Sequence, residues 1–349
     1  MMPTHNSRRP GLSLTEVLVA LFVMALGIIS LMTLFPLGAV QMGQALRDDR
    51  SGQTASQADG ITRLWWQTLV VEQPGAEDEI FTAMDTPDPA VAPTLVKKLP
   101  PYDNNPSYPA FLDPMGWQAR TGVPRPAVGP RDWITGVPGS LPRRSARPLL
   151  TAGVPDFQRT VRACSMMDDI TFKEDGTPDT LSGSTGGVVR EGAYNWCAVL
   201  QRPNNANRYV ADFKVLVFHT KGLYGGHAPG SAPAGSETIY SGAALANANQ
   251  GSTQIGLNVP IANLPLRSGS WILDGSDVLD NTSPLKPVIG KVANFYRIQS
   301  ITELSATSTI LELDTPLKSN ITQLYILRGL IDVFDRPQLT DSGYRRQAP

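Results

Sequence analysis

A run of 24 uncharged, mostly apolar residues from Val17 to Val40 dominates the hydropathy pattern, and the next charged residue is Arg47. At about 1.5 Å of rise per residue, this run would form a helix about 36 Å long, enough to cross a hydrocarbon core of about 30 Å with some tilt. A buried core helix is the alternative, but such helices rarely continue this far without a polar stripe. The pattern therefore predicts a transmembrane helix over residues 12–40.

Within this run, Pro36 removes the amide that would hydrogen-bond to the carbonyl of Met32. We therefore expect a helix kink or local melting at Pro36, assisted by Gly27 and Gly38. In lipid, neighbouring helices must cover the backbone groups that the proline frees.

Residues 41–73 continue with a looser helical pattern. Apolar residues recur at spacings of three, four and more, at Met42, Leu46, Ile61, Trp65 and Leu69. This pattern predicts an amphipathic extension of the helix beyond the membrane. We expect Trp65 and Trp66 to dock onto a globular domain, because buried aromatic pairs are commonly part of a core or an interface.

The next segment, residues 74–155, is rich in proline. It holds 16 of the protein's 30 prolines in 82 residues and shows no sustained helical or strand period. Proline fixes the backbone and removes hydrogen-bond donors, so we expect an irregular segment with no regular sheet.

From residue 156 onward, the alternation of apolar and polar residues is typical of β-strands. One face of one run carries Tyr194, Trp196, Ala198 and Leu200, and one face of the next carries Phe213, Val215 and Val217. With residues 203–207 as the turn, these runs predict an antiparallel hairpin. Further strands are predicted at residues 271–274, 288–302 with a break near Ala293, 309–314 and 324–334.

Charge and composition argue against several classes of function. The 349 residues include 30 basic and 31 acidic side chains, and a net charge of -1 argues against a nucleic-acid partner bound through a basic surface. Two cysteines and three histidines are too few for the usual four-ligand zinc site. The chain has no HExxH, G-x-S-x-G, P-loop or G-x-G-x-x-G motif, so we predict no enzyme activity and no cofactor.

Two features remain as candidate sites in the β-rich region. Cys164 and Cys197 form a candidate disulfide if this region faces an oxidising compartment. Asp274, Asp277 and Asp280 offer candidate oxygen ligands for calcium, although their spacing matches no EF-hand loop. A plain polar turn between strands is the alternative for this acidic run.

The residues flanking the apolar run indicate its orientation. Arg8 and Arg9 precede it, whereas the two arginines that follow it are offset by two acidic neighbours. The positive-inside bias then places the N-terminus in the cytoplasm and the remainder outside it. A secretory signal is the alternative, but its apolar core spans about 7 to 15 residues, and here the small residues Gly38 and Ala39 lie beyond a full membrane span.

One acidic side chain, Glu16, lies at the head of the predicted membrane helix. A carboxylate inside a spanning helix costs about 2.5–3.5 kcal/mol, so Glu16 requires a partner or a function. The string RRPGLSLTEVLVAL, residues 8–21, resembles the leader and cleavage/methylation motif of type IV prepilins and type II secretion pseudopilins. EVLVAL with the following Leu26 and Gly27 looks most similar to the type IV pilus modification group of minor pilins and to minor pseudopilin I. The resemblance covers about residues 8–70, and Leu12 departs from the phenylalanine more common in the family.

This resemblance implies that a prepilin peptidase cuts between Gly11 and Leu12 and methylates the amine of Leu12. It also implies that Glu16, the fifth mature residue, guides assembly with other pilin or pseudopilin subunits. The new amine is largely protonated at neutral pH, so Glu16 of a neighbouring subunit can match its charge. The expected location is the bacterial inner membrane, with one span, lipid around it and an extracytoplasmic head that could enter a cell-surface filament.

Three alternatives stay open. Ser13 and Glu16 fit an S-x-x-E capping box, which needs no partner subunit. The chain could be a permanently membrane-anchored extracytoplasmic β-rich binding protein that keeps its first eleven residues. It could also be an anchored enzyme with a site in its head.

The sequence thus predicts an α+β, pilin-like protein with a mainly antiparallel β head. Its expected parts are a basic prepilin leader (1–11), a transmembrane helix (12–40), an amphipathic extension (41–73), a proline-rich irregular segment (74–155) and the β-rich globular head (156–349).

Overall fold

The structure is a computed structural model that describes residues 13–72, 84, 107–112, 143–144, 166, 170, 172–179, 194–203, 209–219, 237–279, 284–285, 288–327 and 329–340. The chain divides into two compact units, Met1–Arg50 and Ser51–Pro349. In the second unit, a helix end packs on mainly antiparallel sheets, which confirms the coarse α+β class.

Helix α1 comprises the 53 residues Leu14–Trp66, and π-helical turns continue it over Gln67–Glu72. Its first half is rich in leucine, methionine and alanine, which are good helix formers. Helix α1 continues without interruption through Pro36. The kink expected there stays a prediction.

Fourteen strands are present among the described residues. In chain order they are β1 (Ala110–Leu112), β2 (Arg143–Arg144), β3 (Tyr194–Gln201), β4 (Ala211–His219), β5 (Glu237–Ser241), β6 (Leu245–Ala246), β7 (Gln254–Leu257), β8 (Trp271–Asp274), β9 (Asp277–Leu279), β10 (Val288–Lys291), β11 (Asn294–Ser305), β12 (Ser308–Leu313), β13 (Gln323–Leu327) and β14 (Leu330–Leu339).

These strands form three sheets. A five-stranded sheet has the order β14-β4-β3-β1-β2, a seven-stranded sheet has the order β5-β13-β8-β11-β12-β7-β6, and β9 pairs with β10. All pairs are antiparallel except β1 with β2, which is parallel. The β head is therefore mainly antiparallel, as predicted.

The predicted hairpin is confirmed by the pairing of β3 with β4. Their register places Trp196 opposite Val217 and Leu200 opposite Phe213, so the alternating residues share one face. The opposite face of β3 is also buried, through Cys197 and Val199. β3 is therefore a central strand covered on both sides.

Three apolar clusters form the core. In the first, the end of α1 packs on one face of the five-stranded sheet through Ala55, Ala58, Trp65, Trp66 and Val70. The second lies between the five- and seven-stranded sheets and includes Cys197, Leu216, Leu273 and Tyr325. The third lines the seven-stranded sheet through Ile255, Tyr296, Leu311 and Ile326, among others. The predicted docking of the tryptophan pair is confirmed, and both side chains are almost fully buried.

Several strand predictions require correction. The strand expected over residues 324–334 is two strands, β13 and β14, which belong to different sheets, because Gly329 takes a positive φ of 78° between them. The expected break near Ala293 is confirmed, since β10 ends at Lys291 and β11 begins at Asn294. Within the proline-rich segment, residues 110–112 and 143–144 form strands, contrary to the expectation of no regular sheet there.

Candidate membrane-assembly site

The candidate site begins with the apolar first half of α1. Every described side chain from Leu14 to Val40 is exposed, and the large apolar ones range from 44% exposed at Val17 to 80% at Leu14 and Phe35. A soluble helix buries one apolar stripe, whereas a helix that is apolar on all sides requires an apolar surrounding. Among the described residues, α1 is the one helix long and apolar enough to cross a membrane.

Glu16 lies in the first turn of this helix. Its Oε2 accepts a hydrogen bond from the backbone N–H of Ser13 at 3.0 Å, and the Glu16 N–H donates to Ser13 Oγ at 3.3 Å. These reciprocal bonds are the S-x-x-E capping box that the sequence offered as the alternative. A carboxylate there also interacts favourably with the positive end of the helix dipole.

The capping box leaves part of the Glu16 side chain accessible. Glu16 is exposed, and its Oε2 also accepts a longer bond of 3.3 Å from Ser13 Oγ. The cap's hydrogen bonds to the Glu16 carboxylate use this one oxygen. Capping and an ionic contact through the other oxygen are therefore compatible. The predicted cleavage and methylation residues, Gly11 and Leu12, lie outside the described residues.

The candidate disulfide stays a prediction. Cys197 is 2% exposed on β3, and its sulfur lies 3.7 Å from the carbonyl oxygen of Ala198. Cys164 lies outside the described residues.

Two of the candidate calcium ligands have protein partners. Asp274, at the end of β8, accepts hydrogen bonds from Ser276 N–H at 3.0 Å, Ser276 Oγ at 2.5 Å and Ser319 Oγ at 2.8 Å. Burial is the main cause that raises the pKa of the Asp274 carboxyl, against these hydrogen bonds and the charge of Lys291. Asp277 starts β9 and pairs with Lys291. Asp280 lies outside the described residues, so the calcium site stays a prediction.

Lys291 was missed by the sequence reasoning. Its side chain is buried at the end of β10, directly opposite Asp277 in the strand register, and the Lys291 Nζ lies 2.7 Å from Asp277 Oδ1. The sequence does contain a pattern that indicates this pair: a lysine ends an apolar strand that follows a nearby acidic segment. Opposite charges commonly pair across neighbouring strands.

Two observations concern candidate metal-binding or catalytic groups in the described part of the chain. The described residues contain no group of three or more His, Cys, Asp and Glu side chains placed to hold a metal ion. His219, at the end of β4, is exposed and contacts the ring of Tyr194 edge-on, with centroids 5.0 Å apart. This contact is an ordinary aromatic pair.

Comparisons with known proteins leave the family open. No family model matches the chain, and no curated protein matches it. A solved structure titled "Phage phi92 endosialidase" is similar to part of the chain, with a TM-score of 0.17 and 9% sequence identity. The match covers 42% of this chain and 19% of that one. A similarity at this level supports no conclusion about fold or function.

Proposed function

We propose that the protein is a pilin-like or pseudopilin-like structural subunit of a type IV pilus or type II secretion filament. In this proposal a prepilin peptidase cleaves the precursor after Gly11 and methylates Leu12, and the mature subunit assembles through its N-terminal helix. The observation that carries the proposal is the leader-type string of residues 8–16, which directly precedes a long helix with exposed apolar side chains and ends on Glu16 in its first turn.

The membrane step follows from the surface of α1. About 20 apolar residues suffice to cross a bilayer, and the uncharged run of α1 exceeds this length. A single-span anchor needs no further sequence features, so this step agrees equally with a permanently anchored protein. The leader motif before Leu12 is what favours a processed subunit.

The assembly step depends on the charge of Glu16. After cleavage, the free amine of Leu12 is cationic and lies close to the apolar region of the membrane. A carboxylate from a neighbouring subunit compensates that charge and lowers the cost of burying either group. Glu16 is exposed in the single chain, so an incoming subunit can reach it.

Two variants of Glu16 separate assembly from helix capping. Glu16→Gln keeps the capping box, because glutamine also serves at this position, but it removes the charge. Glu16→Ala removes both. We expect both variants to be inserted and processed, and both to lose cross-linking to neighbouring subunits in membranes that contain the assembly machine.

One result of this comparison would contradict the assembly role of Glu16. If Glu16→Gln cross-links as well as the wild type and only Glu16→Ala fails, then Glu16 acts as a helix cap, and the assembly role is wrong. Leu18→Ala, on the exposed apolar surface of the same helix, serves as the control that leaves cap and charge intact.

A further inference from the structure

Three oxygen atoms surround the ammonium group of Lys291. They are Asp277 Oδ1, Gln323 Oε1 and the backbone carbonyl oxygen of Gly275, here called the oxygen cage. The distances from Lys291 Nζ to these atoms are 2.7, 2.9 and 3.3 Å. An ammonium group has three N–H donors, and the cage offers one acceptor for each. Lys291 itself is 5% exposed, so its charge is almost completely removed from water.

Other residues hold the cage oxygens in position. Gln323 Nε2 donates to Asp277 Oδ2 at 3.2 Å, and the hydroxyl of Tyr325 donates to Gln323 Oε1 at 3.0 Å. Gly275 lies against the Tyr325 ring so closely that an added Cβ would be 2.4 Å from Cε2. The cage is therefore built from a carboxylate, an amide and a carbonyl whose orientations are fixed by packing and hydrogen bonds.

These ligand types are the ones that hard cations select. Calcium takes carboxylate oxygens, side-chain amide oxygens and backbone carbonyls. In this protein the same set surrounds a covalently attached cation. Lys291 therefore compensates the charge of Asp277 from within the protein.

The cage also joins separate parts of the β head. Asp277 and Lys291 belong to the two-stranded sheet, and Gln323 belongs to β13 of the seven-stranded sheet. The backbone carbonyl of Lys291 accepts a hydrogen bond of 2.7 Å from Gln201 Nε2 at the end of β3, in the five-stranded sheet. A cation at this position therefore stabilises the meeting point of three sheets.

We propose that Lys291 is a tethered cation that occupies a metal-type oxygen site, so that the β head is held together here without a metal ion. Removing the ammonium leaves the cage with an uncompensated carboxylate at Asp277. The vacated cage then becomes a site for a free cation of suitable size, which restores part of the lost stability through binding.

The test uses the full chain in detergent and follows thermal unfolding by circular dichroism. We compare the wild type, Lys291→Ala, and the double variant Lys291→Ala/Asp277→Asn, each in EDTA, in about 10 mM calcium chloride and in methylammonium chloride, with sodium chloride at matched ionic strength as the control. The calcium concentration is set by the weak affinity, about 10⁻³ M, of sites with few charged ligands.

We expect the wild-type midpoint to be the same in EDTA and in calcium. Lys291→Ala should unfold at a lower temperature and recover by about 3 °C or more with calcium or methylammonium, relative to sodium. The double variant should show no such recovery, because it lacks the carboxylate that holds the cation.

Two results would overturn the proposal. One is a wild-type midpoint that rises with calcium, because the site would then take a metal with Lys291 in place. The other is an equal cation response of Lys291→Ala and the double variant, including no response in either. Since the double variant removes both members of the Lys291–Asp277 ion pair, it leaves neither of these two groups buried without its partner, and it keeps the comparison valid if Lys291→Ala alone folds poorly.

Discussion

The docking of Trp65 on the five-stranded sheet should contribute substantially to the stability of the β head. Trp65 is 4% exposed, and its ring centroid lies 5.8 Å from that of Trp196, which is fully buried. Burying about 200 Å² of aromatic surface at about 25 cal/mol per Å² gives an upper limit of about 5 kcal/mol. Replacing a buried tryptophan by alanine commonly costs about 3–5 kcal/mol, which agrees with this limit.

We therefore expect Trp65→Ala to lower the free energy of unfolding by about 3–5 kcal/mol. Leu64→Ala, at the neighbouring residue that is 60% exposed, should change it by less than about 0.5 kcal/mol. The assay is urea unfolding of the full chain in detergent, followed by far-ultraviolet circular dichroism, because removing a tryptophan alters the fluorescence signal itself.

A double-mutant cycle isolates the contact between the two rings. Trp65→Ala combined with Trp196→Ala should cost less than the sum of the single variants by about 0.5–1.5 kcal/mol, the usual contribution of an aromatic pair. If Trp65→Ala costs no more than Leu64→Ala, the end of α1 does not stabilise the sheet, and the core described for this face is wrong.

Two further predictions concern the buried acidic run. Gly275→Ala should lower the thermal midpoint and reduce the free energy of unfolding by about 1–3 kcal/mol, because the new Cβ would be 2.4 Å from the Tyr325 ring. At Gly52 in α1 an added Cβ meets open space, so Gly52→Ala should leave the stability unchanged or increase it. The pKa of Asp274 is raised above its ordinary value of 3.8, so its contribution to stability is fully present below that pH and is lost as the pH rises through the raised value. Asp274→Asn should therefore reduce the loss of stability with rising pH, as measured by thermal unfolding in a series of buffers; a slope that equals that of the wild type would contradict the burial argument.

The sequence predicted best where one local period settled the structure. The alternation in β3 and β4 predicted their pairing, and the tryptophan pair predicted the docking face of α1, because large apolar side chains require burial. The short strands β5, β6 and β7 were missed, since two to five residues do not establish a period. Whether such short segments form strands is determined by their hydrogen-bonded neighbours in the sheet.

The oxygen cage around Lys291 was harder to predict from the sequence than the strands were. The acidic run suggested either a calcium ligand set or a polar turn, and β9 starts within it, at Asp277. The deciding residue, Lys291, lies outside the acidic run and becomes a neighbour of Asp277 only through the pairing of β9 with β10. At Glu16 the short spacing to Ser13 made the capping box predictable, whereas the role in assembly depends on a second subunit.

The most direct test of the central proposal is the intact mass and N-terminal sequence of the membrane-extracted protein, co-expressed with a prepilin peptidase, for the wild type and Gly11→Ala. The account predicts a wild-type chain that begins at methylated Leu12, and a Gly11→Ala chain that keeps its first eleven residues. An intact N-terminus in both proteins would contradict it and would indicate a permanent anchor, and cleavage near Ala39 would instead indicate an ordinary secretory signal.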